Sequence, residues 1–432
     1  MVRALGSRNY RLFFAGQLIS LIGTWLTTVA TAWLVYSLTR DTLTLGTVTF
    51  CGQIPAFLLA PLAGVLVDRW SLHRTLVVTQ TLSMLESTAL ALLTFGHLIN
   101  VPWIFALNVF QGLVNAFDMP ARQAFVVQMV ENREDLPNAI ALNSSMFNAA
   151  RLLGPSIAGI LIALVGEGLC FTLDALSYVA VIVALLRMIV PPPAPRKAPR
   201  HPLVEFREGL EHALGFTPIR AILLILALVS LMGTPYTVLM PAFTDKTLLG
   251  GGPGTLGMLM AATGLGALLG AIVLAARRSV LGLGRLIPMA TVGFGITLIA
   301  FSFSRHLSLS LALLAGTGFC MITQMAAGNT LLQTIVDDDK RGRIMSLFGM
   351  SFLGMMPLGS LLMGYLAKPQ HLGPPKAVAL GGVCCIVGAG IFASQLPRIR
   401  REIRPIYVRR GILPDVAQGL AQAAELSVPP ER

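Results

Sequence analysis

Few residues in this chain are able to do chemistry, and most of them lie inside apolar runs. Arg151, Glu86 and Asp174 each interrupt a long hydrophobic stretch. Asn108, Gln111, Asn115, Asp118 and Arg122 recur in another; at 100° per residue they fall within about 80° of one another on a helix. A third stretch carries Gln17, Ser20, Thr24, Thr27, Thr28 and Thr31, and a fourth Ser144, Asn148 and Arg151. Thr317, Met321, Gln324 and Gly328 line up in a fifth. Stripes of this kind either hydrogen-bond neighbouring helices or line a wet cavity.

Arg151 is the sharpest of them. It lies about 13 residues, or about 20 Å, from the start of its run at 1.5 Å per residue. An unpaired guanidinium at such depth costs on the order of 3 kcal/mol on insertion scales. It therefore needs an acid or an anionic ligand. Glu86 and Asp174 lie at similar depth and are the candidate partners, or groups whose pairing changes during coupling to an ion.

Other chemistries find no support. The five cysteines and six histidines follow no CxxC or metal-ligand spacing. No Walker loop, Ser/His/Asp set or catalytic carboxylate pair is present, so the reading is a non-enzyme with no cofactor and no metal. The glycines Gly257, Gly264, Gly266 and Gly270 follow no strand and suit close helix packing. Met350, Met355, Met356 and Met363 read as adaptable filling.

The elements that must hold these residues follow from composition. Of 432 residues, 55% are apolar and 12% charged, and the mean hydropathy is +0.74. A soluble domain carries about 25% charged residues. Windows of roughly 20 apolar residues fall at 12–38, 43–67, 75–95, 101–121, 138–165, 168–190, 219–243, 254–276, 286–303, 308–331, 343–366 and 376–396. The first run is too long for a signal-peptide core and reads as an uncleaved span.

The net charge of +12 is topological. Only Arg40, Lys246, Arg305, Lys368 and Lys376 fall on the side away from the termini, and Arg151 lies within a span; the other Lys and Arg residues share the side of the termini. This bias predicts both termini on the cytoplasmic side of a membrane and removes the case for a nucleic-acid partner. The Pro-rich basic stretch 191–202 divides the spans six and six. The expected organisation is a bundle at 1–190, a linker at 191–217, a bundle at 218–397 and a tail at 398–432. Within the linker Leu203, Phe206, Leu210 and Leu214 recur at helical spacing, as in a helix lying on the membrane surface. Shifted by 205 residues, Gln128, Leu142, Phe147, Gly154 and Gly159 fall on Gln333, Leu347, Phe352, Gly359 and Gly364.

Two motifs give a resemblance. Gly64, Asp68, Arg69 and Arg74, between spans two and three, match the G-x-x-x-D-R-x-G-R-R pattern of the major facilitator superfamily in part. Gly154, Pro155 and Gly159 in span five resemble the G-P-x-x-G-G motif of its exporters. The stretches 117–122, 139–144 and 341–343 resemble the branch of enterobactin exporters and macrolide-efflux carriers. The resemblance implies an all-α membrane protein with twelve transmembrane helices in two pseudosymmetric six-helix bundles. It implies a secondary transporter that exports amphipathic drugs or siderophores by alternating access and proton antiport, for which a monomer suffices. The partners are then a small-molecule substrate and the lipid bilayer. It also implies that Gln17, Ser20, Thr24, Asn108, Gln111, Asn115, Asp118, Asn148, Arg151 and Gln324 surround the cavity. Where proton-coupled relatives carry R-x-x-Q-G in span four, this chain has Asn108 at the arginine position. A lipid flippase of the same fold, or a non-transporting receptor or scaffold, are the alternatives.

Overall fold

The structure, a computed structural model, describes residues 3–130, 133–189, 210–211, 213–244, 249, 251–277 and 279–413. Among them every regular element is a helix. The first six are α1 (Arg8–Thr39), α2 (Thr42–Arg69), α3 (Leu72–Phe95), α4 (Val101–Met129), α5 (Leu136–Val165) and α6 (Glu167–Leu186). Then come α7 (Thr217–Phe243), α8 (Gly252–Ala275), α9 (Leu283–Phe303), α10 (Leu307–Ile335), α11 (338–366) and α12 (Gly373–Arg409). The basic linker 191–202, together with Leu203 and Phe206, lies outside the described residues.

Local chemistry sets the turns. The Asp41 carboxylate caps α2 by accepting from the Thr44 amide at 2.9 Å. Asn100 caps α4 through the Trp103 amide at 3.1 Å. Arg40 ends α1 in the left-handed region at φ 52°. Gly166, at φ 89°, joins α5 to α6 with no intervening loop.

Eleven of the twelve helices are long and apolar enough to cross a membrane. The exception, α4, has 29 residues. Its polar stripe, the same one that suggests function, lowers its apolarity.

Two features depart from the sequence expectation. Helix α12 does not stop near residue 397 but continues to Arg409 through Pro397 and Pro405. Apolarity falls there, yet Ile399 and Ile403 remain buried, and Thr217 of α7 donates to Glu402 at 3.0 Å. The segment after residue 397 is thus a docked helix, with Arg410 donating to the Val336 carbonyl at 2.8 Å. Helices α7 and α11 each contain a five-residue π segment, Val229–Gly233 and Met350–Gly354. The Ser230 hydroxyl joins the two segments by donating to the Phe352 carbonyl.

The apolar core is arranged unequally at the two ends of the bundle. At the end holding the described N-terminus, Tyr10, Phe13, Leu76, Phe125 and Leu185 form a core from α1–α6 alone. A separate core at the same end, with Ile222, Ile287, Leu331, Ile344 and Ile403, comes from α7–α12 alone. At the opposite end a single core joins both sets: Leu34, Leu45, Ile104 and Phe171 share it with Phe243, Leu256, Phe301 and Met363. The two halves are fused at one end and separately packed at the other.

The faint internal repeat now has a physical basis. Repeat-related Gly154 and Gly359 play equivalent roles: a Cβ on the first would lie 2.3 Å from Trp25 of α1, and one on the second 2.2 Å from the Leu231 carbonyl of α7. Gly159 and Gly364 face the opposite half, against Gly257 of α8 and Gly46 of α2. Such small-residue contacts let helix backbones touch, which is how helices associate without a hydrophobic drive in lipid. The Thr42 hydroxyl adds a hydrogen bond to the Gly364 carbonyl at 3.0 Å.

Candidate functional site

The stripe on α4 splits between its neighbours. Asp118, 2% exposed, accepts from Thr79 and from Gln80 of α3, each at 2.8 Å. It also pairs with Arg122 one turn on. Gln111 donates to Ser83 at 3.0 Å and to Asn115 at 3.2 Å. These residues were expected to line a cavity. The structure instead turns Asp118 into the α3–α4 interface, because an enclosed carboxylate needs donors and α3 supplies them. Gln111 and Asn115 stay partly exposed, and Asn108 rests against Gly52 of α2 while donating to the Ile104 carbonyl at 2.9 Å.

The α1 stripe also divides. Gln17 and Ser20 are enclosed, at 2% and 1% exposure, and do not line an open space. Thr24 and Thr28 are exposed, each returning its hydroxyl to a carbonyl one turn back.

The intramembrane acids form their own cluster. Ser87 of α3 donates to Asp174 of α6 at 2.8 Å and lies 3.3 Å from Glu86. Thr27 of α1 adds a bond to Asp174 at 2.7 Å. Two carboxyl groups therefore sit within reach of one hydroxyl in the middle of α1–α6. Neither pairs with Arg151 among the described residues. Sequence periodicity places groups around one helix but does not say which neighbour they meet.

Arg151 lies at the seam between the halves. Its carbonyl is packed against α8, where a Cβ on Gly264 would come within 3.0 Å of it. The residue keeps part of its surface exposed. Tyr236 is 1% exposed, with the Thr263 hydroxyl of α8 beside its own. The neighbouring Thr263 of α8 commits its own proton to the Leu259 carbonyl at 3.1 Å. Tyr236 escaped the sequence reading. The signal was there: a phenol inside an apolar run, just after the Gly233-Thr234-Pro235 break. Asn148, one turn from Arg151, is partly exposed and donates to the Ser144 carbonyl at 2.9 Å. Gln324 on α10 is 3% exposed with an unpartnered Oε1, and Thr317 on the same helix meets Thr297 of α9 at 2.9 Å.

The motif between α2 and α3 is helical up to Arg69, which is exposed; the Asp68 side chain is outside the described residues. Around Gly64 a Cβ would meet nothing within 4 Å. The Arg74 amide lies 3.5 Å from the Ser71 hydroxyl that starts α3. The α5 motif, by contrast, is buried: Gly154 and Pro155 face α1 and α8, and Gly159 closes on α8.

Comparison with known proteins agrees with this architecture. The family model described as transmembrane secretion effector matches residues 3–406. The chain is 26% identical over 400 residues to the staphyloferrin A transporter of Staphylococcus aureus, covering 90% of this chain and 97% of that protein. It is 27% identical over 390 residues to the multidrug efflux pump Tap of Mycolicibacterium fortuitum, covering 88% and 93%. It is 25% identical over 395 residues to the enterobactin exporter EntS of Escherichia coli O1:K1 / APEC, covering 91% and 92%. Among solved structures, a peptide transporter POT aligns at TM-score 0.73 and 12% identity over 92% of this chain and 96% of that one. An inward-facing, unoccupied bacterial homologue of the lysosomal transporter Spinster aligns at TM-score 0.67 and 13% identity, covering 94% and 99%. With this fold, two halves related by an internal repeat and a family match over nearly the whole chain, the protein belongs to the transmembrane secretion effector family of the major facilitator superfamily.

Proposed function

We propose that this chain exports small amphipathic molecules across a bacterial cytoplasmic membrane by alternating access. The observation that carries this reading is the unequal core: one shared apolar core at the end away from the termini, and two separate cores at the other. Two bundles fused at one face and parted at the other are the expected form of one state of a rocking carrier. The Lys and Arg bias puts the parted face, with both termini, in the cytoplasm. The state described is then cytoplasm-open, ready to take up cargo for export. The siderophore and drug carriers among the relatives support export of similar small molecules.

The bundles at 1–190 and 218–397 are the moving bodies in this reading, with 191–217 tethering them and the end of α12 bracing the second. In this reading the cavity is lined by Thr24, Thr28, Asn108, Gln111, Asn115, Asn148 and Arg151, each of which keeps some exposure. No nucleotide motif is present, so the drive is an ion gradient. Proton antiport fits best, with Glu86 and Asp174 as the groups that carry the proton.

Everted membrane vesicles with an imposed pH gradient test this. Gradient-dependent accumulation of at least one compound from a panel of antibiotics and siderophores is expected, and absence of accumulation for the whole panel would overturn it.

A further inference from the structure

A cavity of about 630 Å³ lies within the second half, at the end of the molecule where α12 runs out past Pro397. Four segments wall it. The turn between α8 and α9 contributes Ser279, the end of α10 Thr330 and Gln333, the start of α11 Arg341, and the end of α12 Arg410 and Ile412. Among the described residues no carboxylate lines it. The walls are fixed by their own hydrogen bonds. Arg277 clamps the turn by donating to the Ser279 and Leu281 carbonyls at 3.2 and 2.6 Å. The Ser279 hydroxyl accepts from the Leu281 amide at 3.1 Å, which leaves its proton free to donate. Arg410 donates to the Val336 carbonyl at 2.8 Å, and a guanidinium has five N–H groups, so the fork is positioned but not used up. Gly411, at φ 67°, then turns the chain so that the Ile412 amide meets the Tyr407 carbonyl at 2.9 Å.

We infer that this cavity binds a phosphate group. Two guanidiniums, two hydroxyls and a side-chain amide around one space supply donors to an anion with several oxygens. Arginine forks match phosphate with parallel N–H groups, which lysine cannot do. The volume is in the range that encloses a whole small molecule, so there is room for what the phosphate is attached to. Basic pockets between transmembrane helices on the cytoplasmic side hold anionic lipid headgroups, and the Lys and Arg bias predicts that side for this end. Ile412 adds an apolar surface suited to the glycerol of such a headgroup. The site stands apart from the seam between the halves and does not depend on the transport reading. A phosphate held by Arg341 and Arg410 links α11 to α12, and through the Val336 carbonyl to α10, so it ties down the docked end of α12.

The test is native mass spectrometry of the purified full-length protein in micelles titrated with phosphatidylglycerol, phosphatidylcholine or glycerol 3-phosphate. Phosphatidylglycerol should fill a saturable site with an apparent Kd about tenfold or more below that of phosphatidylcholine, whose trimethylammonium offsets its phosphate. R341Q and R410Q should each raise that Kd about tenfold. T330W, which fills the cavity from an exposed position on α10, should abolish the site. R285Q removes an exposed charge at the start of α9, outside the cavity lining, and should leave the Kd unchanged. If R410Q does not yield folded protein, R341Q and T330W carry the test. Binding of phosphatidylglycerol alone would assign the site to the bilayer. Binding of glycerol 3-phosphate with the same pattern across the variants would assign it to soluble phosphates, and either result supports the inference. Unchanged phosphatidylglycerol binding in R341Q and T330W, a loss as large in R285Q, or no saturable binding of either phosphate would overturn it.

Discussion

Gly159 of α5 and Gly257 of α8 approach so closely that a Cβ built on either would lie 2.8 Å from the Cα of the other. The obstruction is backbone, so it cannot swing aside. On the other flank Gly364 of α11 and Gly46 of α2 meet similarly, with a Cβ on either 3.0–3.1 Å from the Cα of the other. The two contacts act as paired latches at the fused end. Overpacking costs about 1–3 kcal/mol, which shifts a two-state balance roughly ten- to hundredfold. G257V or G364V should therefore favour the state open at the fused end and slow turnover. Spin labels at Leu98 and Leu372, both in connections at that end, should move apart relative to wild type. An unchanged distance distribution would show that the latches do not set the balance.

Removing the Asp118 carboxylate strips acceptors from Thr79, Gln80 and Arg122 together. Breaking a fully enclosed pair costs about 3–5 kcal/mol. Arg122 keeps 26% side-chain exposure, so water recovers part of this, and D118A should lose about 2 kcal/mol. The D118A/R122Q double variant should lose less than the sum of its parts, because no orphaned cation remains. Unfolding in mixed micelles measures both, and strict additivity would contradict the pairing.

Glu86 and Asp174 can be neutralised without changing shape. In D174N the side-chain amide oxygen still accepts from Thr27 and Ser87, so the helices should hold together. If these acids carry the proton, E86Q and D174N should move substrate down its own gradient but no longer respond to a pH gradient. Counterflow in liposomes, with and without an imposed gradient, separates the two behaviours. Gradient-driven accumulation at wild-type rate in both variants would place coupling elsewhere.

Asp41 offers a test outside the membrane. Burial pushes its carboxyl up, but the hydroxyl and amide of Thr44, the amide of Leu43 and the charge of Lys368 outweigh this and hold it below the ordinary 3.8. A depressed folded value means the cap contributes fully above the unfolded value. That contribution is lost as pH falls through the lower folded one. An N-cap side chain is worth about 1 kcal/mol. D41A should thus melt below wild type at pH 7 and pH 5, and the gap should close as pH falls below about 4. A gap that widens with acid would reverse the assignment.

How much of this was legible beforehand differs by feature. The twelve spans were readable because apolar runs of that length have few other uses. The α5 glycines were readable as close-contact residues, but their partners were not: Gly257 appeared only as one of several glycines in its run. Periodicity gathered Asp118 and Arg122 onto one face of α4. It could not say whether α3 or the cavity lay against that face, and α3 won by supplying donors. Which of the two partners open to Arg151, an acid or an anionic ligand, was not legible for the same reason; in the structure Asp174 is satisfied locally by hydroxyls on α1 and α3. Continuation of α12 past Pro397 was hidden by falling apolarity, while Ile399 and Ile403 kept the buried stripe.

The π segments of α7 and α11 make the two halves mechanically unlike. Helices α1 and α5 run without interruption, whereas their repeat counterparts each carry a crease, and the Ser230 hydroxyl pins one crease to the other. A π turn can pass along a helix by exchanging carbonyl acceptors one at a time, with no need to unwind the rod. One half is then a stiff pillar and the other a jointed one. A single serine hydroxyl thus ties the two creases of the jointed half to one another.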